Sequence, residues 1–244
     1  MNDRKRNLEE RILDLLYPRH CPVCDGILPA DCFVCPECEG KLPYIRTRRC
    51  AKCGKPVEEE DELCEDCRKT EHLFDEGMGI FLYDETMKRT MAAFKFKGRA
   101  EYGDSLGFLM AENSRDKLAL WKPDLLVPVP LHKEKLRTRG YNQAEKLACS
   151  ISRITGIPVE KNAVVRAGRT RAMKNLGAEE RQENLEEAFR QGTDSVRGRR
   201  ILIIDDIYTT GSTVDAVSKV LRSDGALLIA FLTVCIGKGF MIEY

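Results

Sequence analysis

Beyond residue 72 the chain alternates between short apolar runs and stretches in which apolar residues recur at helical spacing. Gly79 to Tyr83 reads as a strand. Met87, Met91 and Phe94 form a helical stripe that runs to about Phe96 and stops at Gly98. A second helix is predicted from Tyr102 to Leu120, and Asp124 to Val129 is a short strand interrupted by Pro128. Helices follow over Asn142–Ile154, Glu179–Phe189 and Ser212–Arg222, and strands over Val159–Val165, Ile201–Ile204 and Ala226–Cys235. Apolar runs of four to eight residues alternating with 3.6-residue periodicity predict right-handed βαβ units. The fold class is therefore α/β, with a mainly parallel sheet flanked by helices.

The first 72 residues follow a different rule. Leu8, Ile12, Leu15 and Leu16 give a short amphipathic helix, and the rest is poor in apolar residues but rich in cysteine. Two domains are expected, a small module over residues 1–72 and an α/β domain over residues 73–244. No apolar run approaches the roughly 18–20 residues that cross a bilayer. The basic start is broken by acids and has only a short apolar part, unlike a secretory signal. A cytoplasmic location with no membrane insertion is expected.

Nine of the eleven cysteines precede residue 68. Eight form C-x-x-C pairs: Cys21/Cys24, Cys35/Cys38, Cys50/Cys53 and Cys64/Cys67. The second double pair repeats the first after 29 residues. Two thiolates on one tight turn share a tetrahedral ion, so four such pairs predict two closed four-thiolate zinc sites. Closed sites leave no open position for substrate, so their role is structural. Sequential ribbons fit the repeat best, although a cross-braced arrangement uses the same residues. Gly26 and Gly54 are expected at the positive-φ position of each knuckle. Cys32 is left over. His20 and His72 flank the module as spare ligands, and Cys149 and Cys235 read as core thiols.

A 43% hydrophobic and 32% charged composition describes a globular chain. The formal charge of +1 counts each cysteine as neutral. Two four-thiolate zinc sites at −2 each would bring the total to about −3. Charge is uneven, with Lys88, Arg89, Lys95, Lys97 and Arg99 grouped without an acid. Such a face suits phosphate or nucleic acid as well as plain solvent.

In parallel sheets ligands sit beyond the carboxyl ends of the strands. Val129–His132 and Asp205–Thr213 lie there. In the second segment an apolar strand delivers Asp205 and Asp206, after which Thr209, Thr210, Gly211, Ser212 and Thr213 turn into a helix. Converging amides, hydroxyls and a helix N-terminus make a phosphate cradle. Two carboxylates just upstream suit a diol, so the pattern points to a sugar phosphate. No G-x-x-x-x-G-K-[ST] and no G-x-G-x-x-G after a strand occurs, which argues against P-loop hydrolases and dinucleotide enzymes.

The loop ILIIDDIYTTGST resembles the phosphoribosyl-pyrophosphate (PRPP) signature of type I phosphoribosyltransferases. LLVPVPLHKEKLRTRGYNQA, KFKGR, RAGRTRAMKNLGAEERQENLEEAF and the paired cysteines resemble the ComF family of competence-associated proteins. That resemblance covers nearly the whole chain. It implies that Asp205 and Asp206 contact the ribose hydroxyls and that Thr209 to Thr213 hold the 5′-phosphate. Val129, Pro130 and Leu131 would form the pyrophosphate loop. Lys95, Lys97 and Arg99 suit contact with either pyrophosphate or nucleic acid. Arg137, Arg139, Gly140, Tyr141, Asn142 and Gln143 would belong to a mobile loop near the reacting centre, and Mg²⁺ would accompany PRPP. Many relatives carry Gln where Met173 stands here. Oxopurine enzymes of this fold carry an aspartate base at the position of Thr209, and a threonine hydroxyl cannot replace it. Three readings follow: a phosphoribosyl-transferring enzyme, a single-stranded-DNA-binding protein of DNA uptake working with competence-machinery proteins, or a PRPP-sensing regulator. His132 suits either phosphate donation or structure, and Tyr208 either stacking or packing.

Overall fold

The structure is a computed structural model describing residues 18–29, 31–166 and 188–237. The expected helix around Leu8–Leu16, most of the expected helix Glu179–Phe189, and Met173 lie outside the described residues.

Four strands form a wholly parallel sheet: β1 (Glu76–Leu82), β2 (Leu125–Pro128), β5 (Arg200–Tyr208) and β6 (Leu228–Ile236), in the order β1-β6-β5-β2. Helices α3 (Glu85–Phe96), α4 (Tyr102–Asn113), α5 (Arg115–Trp121), α6 (Lys133–Arg139), α7 (Gln143–Thr155) and α8 (Ser212–Ser223) complete the α/β part. Alternate residues of β5 serve opposite faces, as the two-residue period of a strand requires. Leu202 and Ile204 pack with Met87, Met91, Phe94, Leu106 and Leu147. Ile201 and Ile203 pack with Val214, Val217 and Leu221. The stripe Met87, Met91, Phe94 is buried, as its spacing predicts.

Several boundaries differ from the sequence expectation. β1 begins three residues early, at Glu76, because its glycines are packing devices. A Cβ on Gly77 would lie 1.9 Å from the Phe231 ring. The expected helix Tyr102–Leu120 breaks at Ser114, whose Oγ donates to the Met110 carbonyl at 2.7 Å. A serine bonding back to the preceding turn weakens helix continuation. Val159 makes only a bridge to Leu126, and the strand starts at β3 (Val164–Arg166). β3 pairs antiparallel with β4 (Phe189–Gln191), so Phe189 ends no helix. Cys235 is buried, whereas Cys149 and Cys32 are only partly so.

The cysteine module clasps the β1 edge. The segment between its two halves covers that edge, with Leu82 N donating to Pro43 O at 2.9 Å and Tyr44 bridging Phe81. An exposed strand edge invites pairing with other chains, and this cover removes the hazard. Cys21, Leu28 and Cys38 join the core on one face of the sheet, and Cys50, Cys53 and Cys64 join the core on the other. Short helices α1 (Pro36–Glu39) and α2 (Glu65–Lys69) follow Cys35 and Cys64 at equivalent places.

Candidate functional site: a phosphate loop, an acid pair and two thiolate clusters

The thiols fall into two groups, Cys21/Cys24/Cys35/Cys38 and Cys50/Cys53/Cys64/Cys67, each with all sulfurs within 4.8 Å of one another. The arrangement is sequential, not cross-braced. Cys24 and Cys35 sulfurs are 3.7 Å apart and Cys53 and Cys64 sulfurs 3.6 Å. A tetrahedron with Zn–S near 2.3 Å has S···S edges of about 3.8 Å. A disulfide needs about 2.05 Å, and every cysteine is unbridged. The donor set therefore fits zinc. Repeated bonds shape both knuckles: Asp25 N to Cys21 O and Gly54 N to Cys50 O, each at 2.9 Å. The positive-φ residue of the first knuckle is Asp25 (φ 63°), not Gly26 as expected. In the 29-residue repeat Asp25 is the counterpart of Gly54, and aspartate tolerates that region better than most residues.

Asp25 also explains one of the grouped cations. Its carboxylate accepts from Arg99 and, at 2.7 Å, from the Tyr102 hydroxyl. Arg99 thus ties the α3–α4 connection to the first cluster and is committed inside the molecule.

At the sheet's carboxyl end, β5 continues through the acids instead of stopping at Ile204. Asp205 still pairs with Thr233, and Tyr208 with Ile236. β2 ends earlier, at Pro128 opposite Ile204, so its pairing stops short of Asp205. Val129–Leu131 follows it, and Val129 N donates to Ile204 O at 2.9 Å. The expected pyrophosphate loop and the acid pair are therefore neighbours. Burial, and then the charge of Asp206, push Asp205 up to about 7. The Asp206 amide, which donates to Asp205 Oδ1 at 2.8 Å, opposes this, as do Lys95 and Arg166. Asp206 pairs with Lys95 at 2.8 Å.

Thr209 and Thr210 are exposed, Gly211 takes φ +90°, and α8 starts at Ser212 with no side chain capping its first amides. Those amides remain available to an anion at the positive end of a twelve-residue helix. Thr210 and Ser212 hydroxyls lie 2.9 Å apart at the rim.

The segment expected as a mobile loop is instead α6 with its glycine cap at Gly140 (φ 80°). His132 caps its start by accepting from Glu134 N at 3.2 Å, which is a structural task. Asn142 caps α7 and also donates to Val129 O at 3.0 Å, which braces the pyrophosphate loop from behind. Gln143 is buried and accepts from Arg139 at 3.0 Å. Arg139 lies over the Phe96 ring, 4.9 Å from its centroid, while Arg137 is exposed on α6. Tyr141 packs on Phe94 and donates to its carbonyl. Asn142 and Gln143 thus support the site more than they face it. Tyr208 is buried and stacked on Phe231, so it packs.

Two cations were missed from the sequence. Partial desolvation, then Arg166, Arg139 and Lys95, hold the Lys135 ammonium below its ordinary pKa. Arg166 is held down by burial and interacts with Asp205, and its Nε has no partner among the described residues. Lys95, Lys135 and Arg166 therefore lie near the two acids, with Arg139 close to Lys135. Such crowding is costly without an anion. Both lay inside stretches already quoted, but neither spacing nor periodicity separates them from ordinary surface cations.

Residues 104–239 match the phosphoribosyl transferase domain family, and residues 12–68 the double zinc ribbon domain family. The chain is 31% identical to "Competence protein F" of Haemophilus influenzae over 84% of its own length and 91% of that protein's. The chain belongs to the ComF family. Another relative, "DNA utilization protein YhgH" of Escherichia coli, is 28% identical across 88% of this chain and 89% of that protein. Among solved structures, a purine phosphoribosyltransferase from Pyrococcus horikoshii is 17% identical, with a TM-score of 0.38, over 57% of this chain and 78% of that one. The two domain matches and the cysteine geometry make the clusters a pair of zinc ribbons on a phosphoribosyltransferase-type α/β domain. Among the described residues no helix is long and apolar enough to cross a membrane.

Proposed function

We propose that this chain binds PRPP with Mg²⁺ and transfers the phosphoribosyl group to an acceptor, releasing pyrophosphate, in the handling of incoming DNA. The observation that carries the reading is the convergence of the acid pair, the phosphate loop and the nearby cations at one end of β5. Thr209–Thr213 hold the 5′-phosphate, Asp205 and Asp206 accept from the ribose diol, and Lys95, Lys135, Arg139 and Arg166 offset the charge that develops on departing pyrophosphate. When bound, Mg²⁺ would supply further charge neutralisation for the departing pyrophosphate. In the transfer the C1–O bond to pyrophosphate breaks as the acceptor's lone pair forms the new bond to C1. Thr209 supplies no base there, which speaks against 6-oxopurine acceptors. The relatives' names, competence and DNA utilization, support the DNA context.

Calorimetry with PRPP and Mg²⁺ tests the ligand, and pyrophosphate release with candidate acceptors tests turnover. Binding with no release for any base, amine or DNA acceptor would leave the sensor reading in place of the enzyme. Within the same titrations, Lys135→Ala is expected to weaken inorganic pyrophosphate about tenfold, the worth of one charge-assisted bond, and to leave ribose 5-phosphate unchanged. Equal loss of both ligands would remove Lys135 from the pyrophosphate end.

A single-strand-binding role is favoured by one observation. Phe96 is 70% exposed beside the site, with Arg139 on its ring and the exposed Lys97 next to it. Aromatic faces among cations stack bases. Lys95 and Arg99 are committed elsewhere, so the informative variant is Phe96→Ala with Lys97→Glu. Its affinity for a single-stranded oligonucleotide is expected to fall about tenfold, with a shallower salt dependence. Unchanged affinity and slope would exclude this surface.

A further inference from the structure

The phosphate loop does not rest on the α/β domain alone. Beneath it lies His72, five residues past the last zinc ligand, with its side chain fully buried. His72 Nδ1 is 2.7 Å from Asp215 Oδ2. An ionised carboxylate only accepts, so Nδ1 carries the proton and donates. The other carboxylate oxygen, Oδ1, accepts from Leu73 N at 2.9 Å. Both oxygens of a residue in the first turn of α8 are thus bound to the tail of the second ribbon.

The imidazole also touches the loop itself. A Cβ on Gly211 would lie 2.9 Å from His72 Cε1, 3.1 Å from Nδ1 and 2.7 Å from the Tyr208 hydroxyl. Gly211 therefore packs directly against this ring, with no room for a methyl group. The ring also stacks on Phe74 at 4.8 Å. The ribbon reaches the same floor by a second route. Lys55, 2% exposed and paired with Asp66 between Cys64 and Cys67, holds its ammonium 5.6 Å from the Tyr208 ring centroid. A phenylalanine at position 72 would pack equally well but could not hold Asp215. The Nε2 of His72 finds no partner among the described residues, a cost that packing alone does not explain.

We infer that His72 is a positioning residue for the phosphate loop, fastening Gly211 and the start of α8 to the second zinc ribbon so that the loop amides are held ready for a phosphate monoester. The inference rests on reading Thr209–Thr213 as the 5′-phosphate site. A preorganised cradle binds more tightly because less ordering is left to binding. The ribbon is then part of the ligand site and not a separate attachment.

The test uses the full chain with both zinc sites filled. Ribose 5-phosphate probes the loop and inorganic pyrophosphate with Mg²⁺ probes the opposite end. His72→Ala is expected to weaken ribose 5-phosphate at least tenfold and pyrophosphate less than twofold, with zinc content unchanged. His72→Asn, whose amide N–H can replace Nδ1–H, is expected to restore most of the loss. Asp215→Asn, which keeps the side-chain volume, is expected to show the same split between probes if the alanine variant folds poorly. Amide exchange at Gly211–Val214 without ligand is expected to accelerate about tenfold in His72→Ala. Unchanged exchange, or equal weakening of both probes, overturns the inference. Accelerated exchange in a protein whose wild type ignores ribose 5-phosphate upholds the positioning role and overturns the phosphate reading instead.

Discussion

Replacing Asp205 and Asp206 together by asparagine is expected to weaken PRPP–Mg²⁺ binding by about 100-fold to 10,000-fold, because two charge-assisted hydrogen bonds of roughly 1.5–3 kcal/mol each are lost. The single changes should differ. Asp206 is already paired with Lys95, whereas Asp205 is held near 7 by burial and by its neighbour's charge. Between pH 6 and 8 Asp205 loses its proton and becomes a full acceptor, so wild-type affinity should rise about tenfold over that range. In Asp205→Asn the profile should be nearly flat.

Stability should run the other way. The folded pKa of Asp205 lies above its ordinary value of 3.8. As pH rises from about 4 to 7 the unfolded chain gives up this proton first, so the native state is progressively disfavoured, and the penalty is complete above 7. Asp205→Asn removes that penalty. It should raise the melting temperature at pH 8 by a few degrees, on the order of 2 kcal/mol after partial solvent screening, and have little effect below pH 4. A ligand site strained in this way gains stability when its function is deleted. If Asp205→Asn melts lower than wild type at pH 8, the raised pKa is wrong; if it binds PRPP normally, Asp205 is not a ligand residue.

Loss of the second zinc site is the other change with a large expected effect. Structural zinc in small modules is worth roughly 10–16 kcal/mol, as much as the whole stability of an ordinary domain. Cys53 is fully buried in the core shared with Phe74, Ile201, Ile203 and Val217, while Cys24 of the first cluster is exposed. Cys53→Ser should therefore release one zinc per chain and unfold the sheet face carried by α8, with a melting temperature lowered by more than 15 °C. Cys24→Ser should cost clearly less, since solvent can hydrate what remains of its site. Metal analysis with thermal melting reads both. Equal, small losses from the two variants would mean that the second ribbon is peripheral to the fold.

Much of this molecule was readable from local chemistry. Thiolate pairs on tight turns impose a metal, and their 29-residue repeat survives in matching knuckle bonds. The stripe Met87, Met91, Phe94 and the apolar run Ile201–Ile204 describe elements whose buried faces follow from their own periodicity. The loop Asp205–Thr213 carries its chemistry in consecutive residues. Lys135 and Arg166 were not readable, because a cation becomes part of a site only through what the fold sets opposite it. The helical state of Lys133–Arg139 was hidden by the resemblance to a loop, although His132 and Gly140 cap it at both ends.

The sequence alone determined the two cysteine clusters, the α/β class and the acid-and-phosphate motif, since each depends on residues close along the chain. Only the tertiary structure decided that the two ribbons pack on opposite faces of one sheet, that Arg99 serves Asp25 and not a ligand, and that His72 lies under Gly211. The bond from His72 to Asp215 alone joins residues 143 positions apart. The energies of these contacts arise from burial and from one partner's geometry against another's, and neither is written in local spacing.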